Sequence, residues 1–93
     1  MVIFFIGLGS QPPVSMPNGA IELIKSSDEI FADVYTSPWR FDLLSAIEDM
    51  TGRKIKEAKR EFLEDVEGII KLAQNKDIAI ICMGDPFIAT THN

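Results

Sequence analysis

At 93 residues the chain can hold one small core, and its 46 % hydrophobic and 25 % charged residues are the balance of a folded globular domain. A formal charge of −5 argues against direct binding of DNA or RNA, because nonspecific nucleic-acid affinity comes from clustered Lys and Arg that release counterions. The longest apolar run, Val2 to Ile6, follows Met1 without a basic flank and is too short for a signal peptide or a membrane span. Cys82 is the only cysteine, which excludes an internal disulfide and a multi-cysteine metal site. A buried, unreactive thiol in the reducing cytoplasm is the expectation.

Val2 to Ile6 shows no alternation and ends at glycine, the pattern of a strand covered on both faces. After Gly7-Leu8-Gly9-Ser10 comes a proline-rich loop, and a helix is expected from about Pro17, capped by Ser15, with Ala20, Ile21 and Ile24 inward. Ile30 to Tyr35 reads as a second strand, stopped by Thr36-Ser37-Pro38. Leu43, Leu44, Ile47 and Met50 fall at helical spacing within Asp42 to Met50, and Gly52 is placed to end that helix. Lys54 to Ala58 is at best a short edge strand. Arg60 to Asn75 carries the clearest periodicity, with Phe62, Leu63, Val66, Ile69, Ile70 and Ala73 on one face. Asp77 to Met83 is again doubly buried, and Gly84-Asp85-Pro86 follows it. From Pro86 onward the chain reads as the opening of another helix that stops before completing its turns, which suggests a truncated lobe. The order β-α-β-α-β-α-β predicts an α/β fold with a parallel sheet of about four strands and flanking helices.

In such a sheet, ligands sit beyond the carboxyl ends of the central strands. Gly7-Leu8-Gly9-Ser10 and Gly84-Asp85-Pro86-Phe87-Ile88 follow the two most apolar strands, and adjacent pairing of those strands would bring both loops to one cleft. Gly7, Gly9 and Gly84 suit either tight turns or close approach of a ligand to backbone N–H groups. Asp85, held extended by Pro86, offers an acceptor for an ammonium or for ribose hydroxyls. The dinucleotide fingerprint fails, since Pro12 stands near the third-glycine position, and no P-loop is present.

Taken together, Phe5-Ile6-Gly7-Leu8-Gly9, Ala32-Asp33-Val34-Tyr35-Thr36-Ser37, Lys59-Arg60-Glu61 with Glu64, and Gly84-Asp85-Pro86-Phe87-Ile88-Ala89-Thr90-Thr91-His92 resemble the diphthine synthase family across nearly the whole chain. That family lies within the tetrapyrrole-methylase-like superfamily. The resemblance implies methylation of a modified histidine of translation elongation factor two, with S-adenosylmethionine as donor. It places cofactor contacts at Ser10, Asp85 and Ile88, and it implies a second α/β lobe. Gln11-Pro12-Pro13 departs from the family pattern just after Ser10, so the Ser10 contact stands on a weaker match. Methyl transfer to an amine asks mainly for in-line positioning, so no catalytic acid–base residue and no metal is expected.

Tyr35, Thr36 and Ser37, just past a strand end, are candidates to line the substrate cleft, although strand termination alone also explains them. His92 reads as a capping residue near a helix start, and Trp39 as a core or partner residue. The mixed charges from Lys54 to Glu67 read as a solvated face. A tetrapyrrole or precorrin methyltransferase would share both glycine loops, and a noncatalytic flavodoxin-like module is the reading from a different class. An uncovered Val2 to Ile6 edge would favour a homodimer or other self-association.

Overall fold

A computed structural model describes residues 2–12, 14–34 and 43–92, the last without its side chain. Strand β1 (Val2–Gly7) leads to helix α1 (Ala20–Ser26) and strand β2 (Glu29–Asp33); α2 (Leu43–Thr51), β3 (Lys56–Ala58), α3 (Arg60–Glu64), α4 (Val66–Leu72), β4 (Ile78–Cys82) and β5 (Phe87–His92) follow. One five-stranded sheet runs in the order β3-β2-β4-β1-β5. The first four pair in parallel and β5 runs antiparallel to β1. β1 and β4 are neighbours, with Ile3 beside Ile78 and Gly7 beside Cys82, as the sequence predicts.

The unalternating runs of β1 and β4 are apolar because both sheet faces are covered. On one face Ile6, Ile30, Ala32 and Ile81 pack with Ile24 of α1 and Ile47 of α2. On the other, Ile3, Phe31, Ile78 and Ile80 pack beneath Phe62, Ile69 and Leu72, and the Phe31 and Phe62 rings stack 4.4 Å apart. The crossovers to β2 and β3 use the first face and the return to β4 the second, as right-handed connections require. Polar clasps hold the strand starts: Asp77 N–H donates to Asp28 Oδ2 at 2.7 Å, and Glu29 accepts from Lys56 at 2.7 Å and Lys76 at 2.8 Å. These ammoniums hold the Glu29 carboxyl below its ordinary range.

Several expectations are corrected. The segment after Pro86 is strand β5, not the opening of a helix. Its aromatic and β-branched residues suit a pleated surface, and the second edge of β1 offers unpaired backbone groups that a strand satisfies. The sheet therefore has five strands rather than four, and β1 is not an uncovered edge, which removes the stated ground for self-association. The backbone of His92 lies opposite Val2 rather than at a helix start. Helix α1 begins at Ala20 behind Gly19, whose φ of 86° is left-handed, and Ser15 does not cap it. The long third helix is broken at Asp65, whose φ and ψ of −90° and 72° leave the helical region and whose side chain accepts from Gly68 N–H. That carboxylate restarts the helix as an N-cap. Of the expected stripe, Val66 is 61 % and Ile70 41 % exposed, because they overhang the β1–β5 side of the sheet. They line an apolar groove of about 310 Å³ with Phe5 and Leu63. Within the charged stretch, Lys56 pairs with Glu29 and Arg60 with Glu64.

Candidate functional site

The carboxyl ends of β1 and β4 lie side by side, and from them the chain leaves toward β2 and toward β5, the reversal at which α/β sheets open a crevice. Leu8 N–H donates to the Cys82 carbonyl at 2.9 Å, which extends the β1–β4 ladder into the first glycine loop. The second loop folds over the first. A side chain on Gly7 would overlap the Asp85 carbonyl oxygen and lie 2.5 Å from Phe87 Cδ1. Gly7 is thus a packing glycine: its hydrogen stands where a methyl group would collide with the second loop.

Gly9 has a related role. Its φ is 81°, and a Cβ there would overlap the Ser15 side chain. Ser15 Oγ donates to the Leu8 carbonyl at 2.7 Å and accepts from Gln11 N–H at 3.0 Å, so the proline-rich loop is folded back as a clasp. Gly84 differs: φ is 117° and nothing lies within 4 Å of the direction its side chain would take. It is therefore the glycine of these loops that leaves room beside its backbone.

Ser10 and Asp85 are exposed, and Ile88 is 37 % exposed while paired with Ile6. The contact between Gly7 and the Asp85 backbone brings the loops bearing these residues to one rim. Asp85 and Gly84 present an acceptor beside open backbone, and Ile88 an apolar surface on β5; such a pairing suits a ligand with hydroxyl or ammonium groups and an apolar ring. Tyr35, Thr36, Ser37 and Trp39 lie outside the described residues.

Two features escaped the sequence reading. Cys82, expected to be buried, is half-buried at the end of β4, and burial, followed by the charge of Asp33, pushes its thiol up. The thiol form is held at neutral pH, which agrees with the expected low reactivity. Asp33, half-buried at the end of β2 and on the same sheet face as Phe31, stands next along the rim. Its position at a strand terminus was the available signal. A surface depression of about 520 Å³ lies on α4 around Glu67 and Lys71 and takes no residue from either glycine loop. Among the described residues, no group of three or more His, Cys, Asp or Glu side chains could hold a metal ion, and no helix is long and apolar enough to cross a membrane.

The two glycine loops, meeting at the ends of central parallel strands, belong to an α/β lobe with a mostly parallel sheet. The sequence profile of the tetrapyrrole (corrin/porphyrin) methylases matches residues 2–93, and the chain belongs to that family. Its chemistry calls for a methyl donor. Within the family, the chain is 42 % identical over 92 residues to a diphthine synthase from Metallosphaera sedula, covering 97 % of this chain and 36 % of that protein. It is 35 % identical over 92 residues to a diphthine methyl ester synthase from Gibberella zeae, covering 98 % of this chain and 32 % of the relative. A crystal structure of diphthine synthase superposes with a TM-score of 0.75 at 26 % identity, over 89 % of this chain and 33 % of the other. The chain thus spans about a third of the length of the relatives it matches.

Proposed function

We propose that this chain is the cofactor-binding N-terminal lobe of a diphthine synthase, a methyltransferase that uses S-adenosylmethionine to methylate the modified histidine of translation elongation factor two. The observation that carries the reading is the interlock of the Gly7 and Gly84–Asp85 loops at the ends of β1 and β4. The similarity to diphthine synthases along nearly the whole chain supports the choice within the family.

Bound S-adenosylmethionine supplies an electrophilic methyl group on a sulfonium. The residues of this lobe bind and orient. Asp85 offers its carboxylate to the ribose hydroxyls or the ammonium of the cofactor, Gly84 leaves space for close approach, and Ile88 gives an apolar surface. Ser10 places the first loop against the same ligand. The Leu8–Cys82 and Ser15–Leu8 hydrogen bonds hold that loop in register, so its placement is set before binding, and such preorganisation lowers the cost of in-line alignment. Tyr35, Thr36 and Ser37, which follow the end of β2, would line the acceptor side. A second lobe would close the cleft, and the protein would act in the cytoplasm.

Asp85→Ala in the full-length enzyme should weaken S-adenosylmethionine binding by about 1–3 kcal/mol, the usual consequence of deleting a hydrogen-bond partner of a charged group. Calorimetry that finds equal affinity in the wild type and the variant removes Asp85 from the site and the reading with it.

A further inference from the structure

We infer that Ser15 is the positioning residue of the first glycine loop: its hydroxyl holds Gly9 and Ser10 in the receptive conformation before the methyl donor arrives. It thereby governs capture of the donor rather than transfer of the methyl group, an inference that rests on the methyltransferase reading above. The two hydrogen bonds of Ser15 Oγ bracket the dipeptide. The hydroxyl donates to the Leu8 carbonyl at 2.7 Å, one residue before Gly9, and accepts from Gln11 N–H at 3.0 Å, one residue after Ser10. A single side chain thus fixes both ends of the turn, while Ser10 itself is exposed, so the bracket holds the turn without covering it.

The surroundings leave the turn little freedom while the bracket is closed. Leu8 is fully buried and its N–H donates to the Cys82 carbonyl at 2.9 Å, which ties the near end to β4. Ser15 N–H donates to the Gln11 carbonyl at 3.2 Å and closes residues 11–15 on themselves. Pro12 is buried within that stretch, and a residue ahead of proline is kept out of the helical region, so Gln11 has few conformations to choose from. Gly9, with φ of 81°, lies against Ser15 so closely that a side chain on it would overlap the serine. Without the hydroxyl, the Leu8 carbonyl and Gln11 N–H lose their shared partner. Between them stands a glycine, the residue with the widest choice of backbone conformations.

A loop that binds in only one of its forms shows an apparent affinity reduced by the fraction of time it spends in that form. Losing two neutral hydrogen bonds can lower that fraction by about 5- to 30-fold. Once the donor is bound, the loop is in the receptive form whichever side chain stands at position 15, so saturating donor restores the rate. The signature of positioning is therefore a raised KM for the donor at unchanged kcat, which lost folding stability alone does not produce.

The test uses the full-length enzyme assayed well below its melting temperature. Ser15→Ala should raise the KM and the calorimetric Kd for S-adenosylmethionine by about 5- to 30-fold, with kcat at saturating donor and KM for the protein substrate within about twofold of wild type. Thr51→Ala is the matched control. Thr51 Oγ1 likewise donates to one carbonyl, that of Ile47 at 2.8 Å, and accepts from one N–H, that of Arg53 at 3.3 Å. It does so at the other end of the sheet, where Arg53 reaches the Asp28 carbonyl just ahead of β2. This variant should melt earlier than wild type and keep its donor KM. Ser15→Thr and Ser15→Val differ only in a hydroxyl against a methyl, so comparing them cancels the effect of added bulk, and the threonine variant should bind the donor several-fold more tightly. A wild-type donor KM in Ser15→Ala, an equal rise in Thr51→Ala, or equal donor affinity in the threonine and valine variants overturns the inference. A wild-type enzyme that binds no S-adenosylmethionine overturns the functional reading, and the inference falls with it.

Discussion

Replacing Gly7 by alanine tests whether the two glycine loops interlock. The added methyl would overlap the Asp85 carbonyl oxygen and sit 2.5 Å from Phe87 Cδ1. The ring can rotate, but the carbonyl belongs to backbone anchored by the β1–β5 pairing of Gly7 with Phe87, so strand or loop must move. Overpacking in a fixed environment costs about 1–3 kcal/mol, and a backbone obstacle puts this site near 3 kcal/mol. For a domain of this size each kcal/mol lowers the melting temperature by roughly 4–8 °C, giving a drop of about 12–24 °C. Gly52→Ala is the control: its φ of 68° adds strain, yet nothing lies within 4 Å of the new methyl, so about 1 kcal/mol is expected. Melting followed by circular dichroism gives both values, and amide shifts at Asp85 and Phe87 should move only in Gly7→Ala. Equal losses in the two variants would refute the interlock.

Ser15→Ala deletes the hydrogen bonds to the Leu8 carbonyl and from Gln11 N–H, and it should lower stability by about 1–2 kcal/mol in urea denaturation; an unchanged midpoint would show that the clasp is not formed. Glu29 has a folded pKa below its ordinary value of 4.5 because Lys56 and Lys76 bond to it. A depressed carboxyl contributes stability that is present above the unfolded value and lost as pH falls through the folded one. Glu29→Gln should therefore be less stable than wild type near neutrality, and the gap should close as pH falls below 4.5. A gap that is constant from pH 7 to acid would contradict the pairing.

The parallel core was legible because β1 and β4 are apolar on both faces, and only a sheet covered by helices on each side calls for that pattern. The Gly84-Asp85-Pro86 loop was legible as a turn, and its meeting with Gly7 followed from pairing β1 with β4. β5 was not legible: Phe87 to His92 lacks a long alternating pattern, and the open edge of β1 that pairs with it is a tertiary partner the local sequence does not reveal. The break at Asp65 was hidden because apolar spacing runs through it from Phe62 to Ile69, while the event that interrupts the helix is a single side chain capping Gly68. Ser15 was misread for a similar reason. A serine ahead of Pro17 resembles an N-cap, and only the fold shows its hydroxyl turned back to Leu8. The packing role of Gly7 could not be read either, because it depends on Asp85 lying across from it.

The most direct measurement of the functional claim is transfer of radiolabelled methyl from S-adenosylmethionine to unmethylated elongation factor two, with the 93-residue chain and the full-length enzyme assayed side by side. One lobe contributes contacts from the rim of a single sheet, whereas a well-bound ligand of this size has about 70–90 % of its surface buried. The two-lobe account predicts label on the modified histidine with the full-length enzyme and none above background with the isolated chain. Comparable turnover by the isolated chain, or no transfer by the full-length enzyme, would contradict it.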